Sequence, residues 1–154
     1  MQYNLYKPNS KNTGCAFSFK ILERDKNGNS AKPTFLLQGI KQASWDDSKK
    51  TGTFSSNAKD PEKNVFSKLN GKEIGAILHA IEEYEEFSAF HTLNDNKTTI
   101  SFKPYEKKDG KKAFSLTVTR NSTLKFGIGI EMGEARLLKA LMELYLVKLL
   151  SYFN

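Results

Sequence analysis

Three glycines near the carboxyl end of the chain are of the residue type that cradles a phosphate. Gly127, Gly129 and Gly133 fall close to the G-x-G-x-x-G spacing of a dinucleotide-binding loop, in which the backbone meets a pyrophosphate at a helix N-terminus. The last interval is one residue too long for that motif. The residues between the glycines alternate apolar and polar, as they do in a strand with one buried face. The pattern predicts a half-buried strand that enters a helix, and no cofactor is expected.

The other residues that commonly perform chemistry are few and isolated. His79 and His91 lack the HExxH spacing or the cysteine companions of a metal site. Cys15 lies between small residues and belongs to no recognisable nucleophile motif. No GxSxG, Walker or paired-carboxylate pattern is present. The sequence therefore predicts a protein that is not an enzyme and that holds no metal.

Composition and charge limit the possible partners. A chain of 154 residues predicts one domain over residues 1–154, and 24 basic against 17 acidic residues favour an anionic partner. The single cysteine suits a reducing, intracellular setting, and the first residues resemble neither a signal nor a transit peptide. The most apolar segment, 137–153, is interrupted by Lys139, Glu143 and Lys148, so no membrane partner is expected.

Hydrophobic periodicity predicts an α+β fold of two consecutive units, each with four strands and a helix. Asn70 and Glu73 have the spacing of a capping box and predict the start of the first helix, which is expected to end near Tyr84. The polar segment 46–63 is expected to form an exposed loop or a hairpin around residues 51–55. The expected strands are 2–7, 15–23, 34–42, 65–68, 87–93, 98–105, 112–121 and 124–132, and the second helix is 134–153.

The outward faces of the predicted strands are small, hydroxylated or basic, with scarcely an acid. A plain solvent-facing sheet is one interpretation, since serine and threonine are common there. A smooth basic sheet with aromatic side chains also suits single-stranded nucleic acid, whose phosphates need cations and whose bases need flat surfaces. The residues expected to bind nucleic acid on this basis are Ser18, Lys20, Lys41, Trp45, Lys103, Tyr105, Arg120, Lys125 and Gly127.

The predicted second helix has more apolar surface than one sheet can cover. Its polar residues form a narrow stripe, and apolar residues occupy most of the circumference. We therefore expect part of this helix to contact other copies of the chain in a homo-oligomer. The expected interface residues are Leu138, Leu141, Met142, Tyr145 and Leu149.

Several short segments, in this order and spacing, resemble the Whirly family of single-stranded-DNA-binding proteins. The resemblance rests on Phe35 to Gln38 followed by Ala43 to Asp46, on Val65 to Gly75, and on Glu86 to His91. The strand from Phe114 to Val118 and the final helix follow in the expected order, so the resemblance spans nearly the whole chain. The family's early lysine-rich stretch has only a loose counterpart around Lys7, which is added to the expected nucleic-acid-binding residues.

The resemblance implies a Whirly-like fold of two antiparallel sheets packed with helices. It also implies a homotetramer that binds single-stranded DNA with little sequence preference, in DNA replication, recombination or repair. Three alternatives remain open at this stage. The same sheet could bind RNA, the protein could regulate transcription, or it could be a structural or protein-interaction module whose last helix contacts a partner.

Overall fold

The computed structural model describes all of residues 1–154 and has an α+β fold, with two helices and three antiparallel sheets. This confirms the predicted α+β class. In chain order the elements are β1 (Gln2–Lys7), β2 (Cys15–Arg24), β3 (Ser30–Lys41), β4 (Ser44–Asp46), β5 (Thr51–Thr53), β6 (Asn64–Leu69), α1 (Gly71–Glu83), β7 (Phe87–Leu93), β8 (Asn96–Glu106), β9 (Lys112–Arg120), β10 (Leu124–Glu131) and α2 (Met132–Tyr152).

The two large sheets each contain four antiparallel strands and are each followed by a helix. The first sheet has the order β1-β2-β3-β6 and precedes α1, and the second has the order β10-β9-β8-β7 and precedes α2. The third sheet is only the β4–β5 hairpin, which lies within the polar segment between β3 and β6. Strand β6 forms one edge of the first sheet, and β7 forms one edge of the second.

Helix α1 begins at the predicted capping box and ends at Tyr84, as the sequence predicts. The side chain of Asn70 accepts a hydrogen bond from the Glu73 backbone (2.8 Å), and the Asn70 backbone donates to the Glu73 carboxylate (3.0 Å). This reciprocal pair satisfies two of the helix's free N-terminal donors. The helix ends at Tyr84, whose left-handed backbone (φ 55°) stops further helical hydrogen bonding. Its buried residues Ile74, Ile77, Leu78, Ala80 and Ile81 belong to the apolar core, in which α1 packs against α2 and β7.

The core is one continuous apolar cluster that draws on both sheets and both helices. Alternation along the strands places every second side chain in it, because successive residues of a strand point to opposite faces. Aromatic pairs occur within and between the layers. Phe102 packs against Phe114 of the neighbouring strand at 4.6 Å between ring centroids, and Phe35 of the first sheet packs against Tyr145 of α2 at 5.5 Å. The core therefore fixes the orientation of the two sheets and, with it, the outward face of each strand.

Helix α2 is packed differently from the sequence expectation. Leu138, Leu141, Met142 and Tyr145 were expected to contact other copies, but they are buried in the chain's own core, and Leu149 is half-buried. The physical reason is that α2 packs against strands of both sheets and against α1, so its most regular apolar face is used within the chain. Beyond the first residue of the helix, Met132, the large exposed apolar residues of α2 and its end are Leu137, Val147, Leu150, Tyr152 and Phe153. Neither helix is both long and apolar enough to cross a membrane.

Candidate nucleic-acid interface

The outward surface of the second sheet, which we call the second-sheet face, is polar and open. Its strands alternate as predicted, with Ile100, Leu116 and Ile128 among the buried residues. Pairing between strands aligns the outward residues in rows across the sheet. One row contains Phe90, Thr99, Thr119 and Lys125, the next contains Ser88, Ser101, Thr117 and Gly127, and a third contains Lys103, Ser115 and Gly129.

Two lysines on this face are available to an anion. Lys103 and Lys125 are exposed, and neither lies within ion-pair distance of an acid. The acid at the end of the face, Glu131, is bound by Lys107 at 2.9 Å. The hydrogen bond from Lys107 and its charge lower the pKa of the Glu131 carboxyl, so this acid is ionised and paired. The charge left unpaired here is positive.

The two strand glycines of this face have different surroundings. A Cβ atom at Gly127 would meet only ordinary contacts, the nearest being Leu116 O and Thr117 Oγ1 at 3.7 Å. A Cβ atom at Gly129 would lie 2.6 Å from the hydroxyl oxygen of Tyr105. Since Tyr105 is on β8 and Gly129 on β10, the tyrosine ring extends across β9. Gly127 therefore leaves the surface open, whereas Gly129 makes room for an aromatic ring.

An exposed aromatic residue that the sequence analysis did not select lies at the other edge of this face. Phe90 is 61% exposed on β7, in the same row as Thr99. A phenylalanine is usually expected to face the core, but Phe90 faces outward. Its position could have been predicted, because Phe90 is three residues after the buried Phe87 and therefore points to the opposite face of the strand. Phe90 and Tyr105 thus provide aromatic surface at two places on the same sheet face, which suits stacking with unpaired bases.

Three of the predicted basic residues contact other parts of the protein. Lys7 binds the carboxylate of Glu134 at 2.7 Å. The Nζ of Lys41 donates to the Lys125 carbonyl and lies 4.9 Å from the centroid of the Phe126 ring. Arg120 donates to the carbonyl of Asn64 at 3.3 Å and to that of Pro61. Their strand positions place them on the core side, so these cations join the two sheets and α2.

The remaining predicted residues lie in or near the first sheet. Trp45 is half-buried in the β4–β5 hairpin, and Lys20 is half-buried on the outward face of β2. Ser18 is 9% exposed, and its hydroxyl has no hydrogen-bond partner. The segment between β3 and β6 covers part of this face, because Gln38 donates to the Ala58 carbonyl and Phe54 packs 5.9 Å from the Tyr6 ring. The outward face of the first sheet is therefore less open than that of the second.

A cavity of about 640 Å³ lies between the edge strands β6 and β7. Three polar side chains from different elements meet at it, with Ser67 Oγ 2.9 Å from His91 Nδ1 and His91 Nε2 2.6 Å from Glu73 Oε2. The sequence analysis found no such group, because the three residues are brought together only by packing. A serine, a histidine and an acid in this order also occur in acyl-transfer enzymes. Here Glu73 is at the same time the capping residue of α1, and the group connects β6, β7 and that helix.

The structure contains no group of three or more residues able to hold a metal ion, and Cys15 is buried. Comparison of the chain with protein-family models, with curated proteins and with solved structures found no match.

Proposed function

We propose that this protein binds single-stranded DNA with little sequence preference, across the second-sheet face. The observation that carries the proposal is the combination of two unpaired, exposed lysines and two exposed aromatic rings on one smooth, acid-poor sheet. A single strand presents phosphates to cations and bases to flat apolar surfaces, and it requires no groove-reading helix. The protein performs no chemical step in this proposal.

The choice of single-stranded over double-stranded DNA rests on shape. A four-stranded sheet of small side chains is wider and flatter than the recognition helices that enter a major groove. Serine and threonine on the central strands and glycine on the edge strand β10 allow bases to approach closely. Phe90 on the other edge strand and Tyr105 on β8 offer stacking surfaces. The order of segments that resembles the Whirly family supports the same function and a role in replication, recombination or repair.

The proposal includes a homo-oligomer. The resemblance to the Whirly family suggests that this oligomer is a tetramer. Its support comes from the exposed apolar residues of α2 and its end, which form a surface that a single copy leaves uncovered. The set differs from the one expected from the sequence and consists of Leu137, Val147, Leu150, Tyr152 and Phe153. Several copies would present several sheet faces to one strand and would raise the affinity by multivalency.

The deciding experiment is a competition assay with a labelled single-stranded DNA oligonucleotide of about 30 nucleotides. Unlabelled duplex DNA and RNA of the same sequence serve as competitors, at low and at moderate salt. We expect binding that resists duplex competitor and weakens as salt increases. If unlabelled RNA displaces the labelled oligonucleotide at the same concentration as unlabelled single-stranded DNA does, the second-sheet face binds single strands of either type. No binding at low salt would overturn the proposal.

A further inference from the structure

Strand β6 has one hydrogen-bonded neighbour and one free edge. It pairs only with β3, in a continuous antiparallel register. Lys41 N donates to Lys63 O at 2.8 Å in line with this register. Because an antiparallel ladder bonds at every second residue, the odd-numbered residues of β6 bond to β3. The backbone N–H and C=O groups of Phe66 and Lys68 therefore point to the free edge.

The free edge is unpaired in the middle of the strand. At its start the carbonyl of Asn64, which points in the same direction, accepts a hydrogen bond from Arg120 at 3.3 Å. No other strand and no side chain of the protein bonds the backbone groups of Phe66 and Lys68. A row of unpaired N–H and C=O groups on an edge strand is a template for a further strand.

The cavity of about 640 Å³ follows this edge. Its lining includes Phe66 and Lys68, which are exposed on the outward side of β6, and Ser67 and Leu69, which are buried on the inner side. The cavity therefore extends around both sides of the free edge. Its volume is within the range of typical ligand pockets.

The inner side of the cavity contains apolar surface that the chain itself leaves uncovered. Leu93 lies on the core-facing side of β7, in step with the buried Phe87, yet it is 72% exposed. Leu149 of α2 lines the same cavity and is half-buried. An apolar side chain placed between them would remove this surface from water, which is favourable in proportion to the area covered.

The net charge at the cavity is positive. Lys32 and Lys68 line it on the outward side, are exposed and form no ion pair. Glu73 is the one acid in the lining, and His91 Nε2 lies 2.6 Å from its carboxylate. The two lysines therefore favour a partner that carries negative charge.

We propose that an extended peptide segment of another protein adds to the free edge of β6 as a fifth strand of the first sheet. Successive side chains of an added strand point to opposite faces, inward to Leu93 and Leu149 and outward beside Lys68. Apolar residues suit the inner positions, and aspartate or glutamate suits the outer ones. The partner segment thus alternates acidic and apolar residues. This protein-binding activity goes beyond the proposed DNA binding and does not rest on it.

Two other occupants fit the edge less well. The β6 strand of a second copy carries the same Lys68, so pairing two such strands adds positive charge to positive charge. A nucleic-acid strand would satisfy the lysines, but it has no amide groups to pair with those of Phe66 and Lys68. It also lacks the apolar side chains that would cover Leu93.

The first test is a fluorescence anisotropy titration of a labelled peptide of about eight residues that alternates aspartate and leucine. We expect saturable binding. Two further peptides carry N-methyl groups on every aspartate or on every leucine. Only alternate N–H groups of an added strand face β6, so one methylated peptide should lose binding and the other should bind within about twofold of the parent. No binding of the parent peptide, or equal effects of the two methylation patterns, would overturn the inference.

Substitutions in the cavity locate the peptide. Lys68→Glu should weaken its binding about three- to tenfold, and Leu93→Ala about tenfold. Both side chains are exposed in the free protein, so both variants should fold. The controls are Lys49→Glu, at an exposed turn lysine, and Phe90→Ala, on the opposite face of the same strand as Leu93. Equal affinities of the cavity and control variants would show that the peptide binds elsewhere.

Competition with nucleic acid separates this inference from the proposed function. A peptide that stays bound when a single-stranded DNA oligonucleotide of about 30 nucleotides is added at low salt supports a separate protein-binding edge. Displacement of the peptide by that oligonucleotide would assign the cavity to nucleic acid and overturn the inference. Peptide binding by a protein that binds no DNA would support the inference and overturn the proposed function.

Discussion

The hydroxyl of Tyr105 occupies the space where a side chain at residue 129 would begin, 2.6 Å from the position of its Cβ atom. The glycine is thus required by an aromatic ring that crosses a neighbouring strand. Gly127, two residues earlier on the same strand and the same face, has open space above it. This pair of glycines allows the role of the tyrosine to be tested with matched substitutions.

Gly129→Ala is expected to displace the Tyr105 ring and to weaken binding of single-stranded DNA. The displaced ring no longer lies across the sheet, and we expect a loss of about fivefold in affinity, equivalent to about 1 kcal/mol of stacking. Assigned ring signals of 13C-labelled Tyr105 should shift in the same variant. Gly127→Ala adds the same methyl group where there is space, and it should leave those signals in place. Equal effects of the two substitutions would show that the Tyr105–Gly129 contact has no part in binding.

Replacing Lys103 and Lys125 together with alanine should weaken binding and reduce its dependence on salt. Each phosphate contact with a single strand contributes about 0.7 to the slope of log K against log salt, so the loss of two contacts should reduce the slope by about 1.4. A titration between about 50 and 200 mM salt measures it. The charge-matched control is Lys26 and Lys49 to alanine, at exposed loop lysines. A slope that is the same in both double variants would remove the second-sheet face from the interface.

The sequence predicted the second sheet well because each of its strands has one mainly apolar face. It predicted the start of α1 for a similarly local reason, the spacing of Asn70 and Glu73. The sequence analysis wrongly assigned Lys41 and Arg120 to the outward faces of their strands. The alternation of side chains along each strand would have placed both residues on the core side. Lys41 alternates in step with the buried Leu37, and Arg120 with the buried Val118, so both are on the core side of their strands.

Other features depend on how distant segments pack and have no local signal. Ser67, Glu73 and His91 come from a strand, a helix and a strand of the other sheet, and only the packing of the two units brings them together. The burial of Ser18 likewise depends on a loop that folds over the first sheet. Helix α2 was hard to interpret because its apolar residues surround most of its circumference, so periodicity alone does not show which side meets the core.

Val147→Arg combined with Leu150→Arg should dissociate the proposed oligomer and leave each copy folded. The two side chains are three residues apart on α2 and are both exposed, so arginine there remains hydrated in a single copy and is unfavourable only in an apolar interface. Sedimentation should show a smaller species, and circular dichroism should show that this species keeps the wild-type secondary structure. Leu141→Ala is the contrasting variant, because this residue is buried, and its loss should cost about 2–5 kcal/mol of stability. If the double arginine variant sediments as the wild type does, this part of the helix is not the interface.

Ser18→Ala should stabilise the protein and leave DNA binding unchanged, although the sequence suggested that Ser18 binds nucleic acid. Its hydroxyl is buried without a hydrogen-bond partner, so removing it eliminates a desolvated polar atom at the expense of very little volume. We expect a gain of about 1 kcal/mol, which for a chain of this size raises the melting temperature by about 2–4 °C. Thermal unfolding and the oligonucleotide titration measure the two effects. A lower melting temperature would show that the hydroxyl is hydrated in the folded protein. Weaker DNA binding at unchanged stability would show that the hydroxyl contacts the nucleic acid, and the first sheet would then belong to the interface.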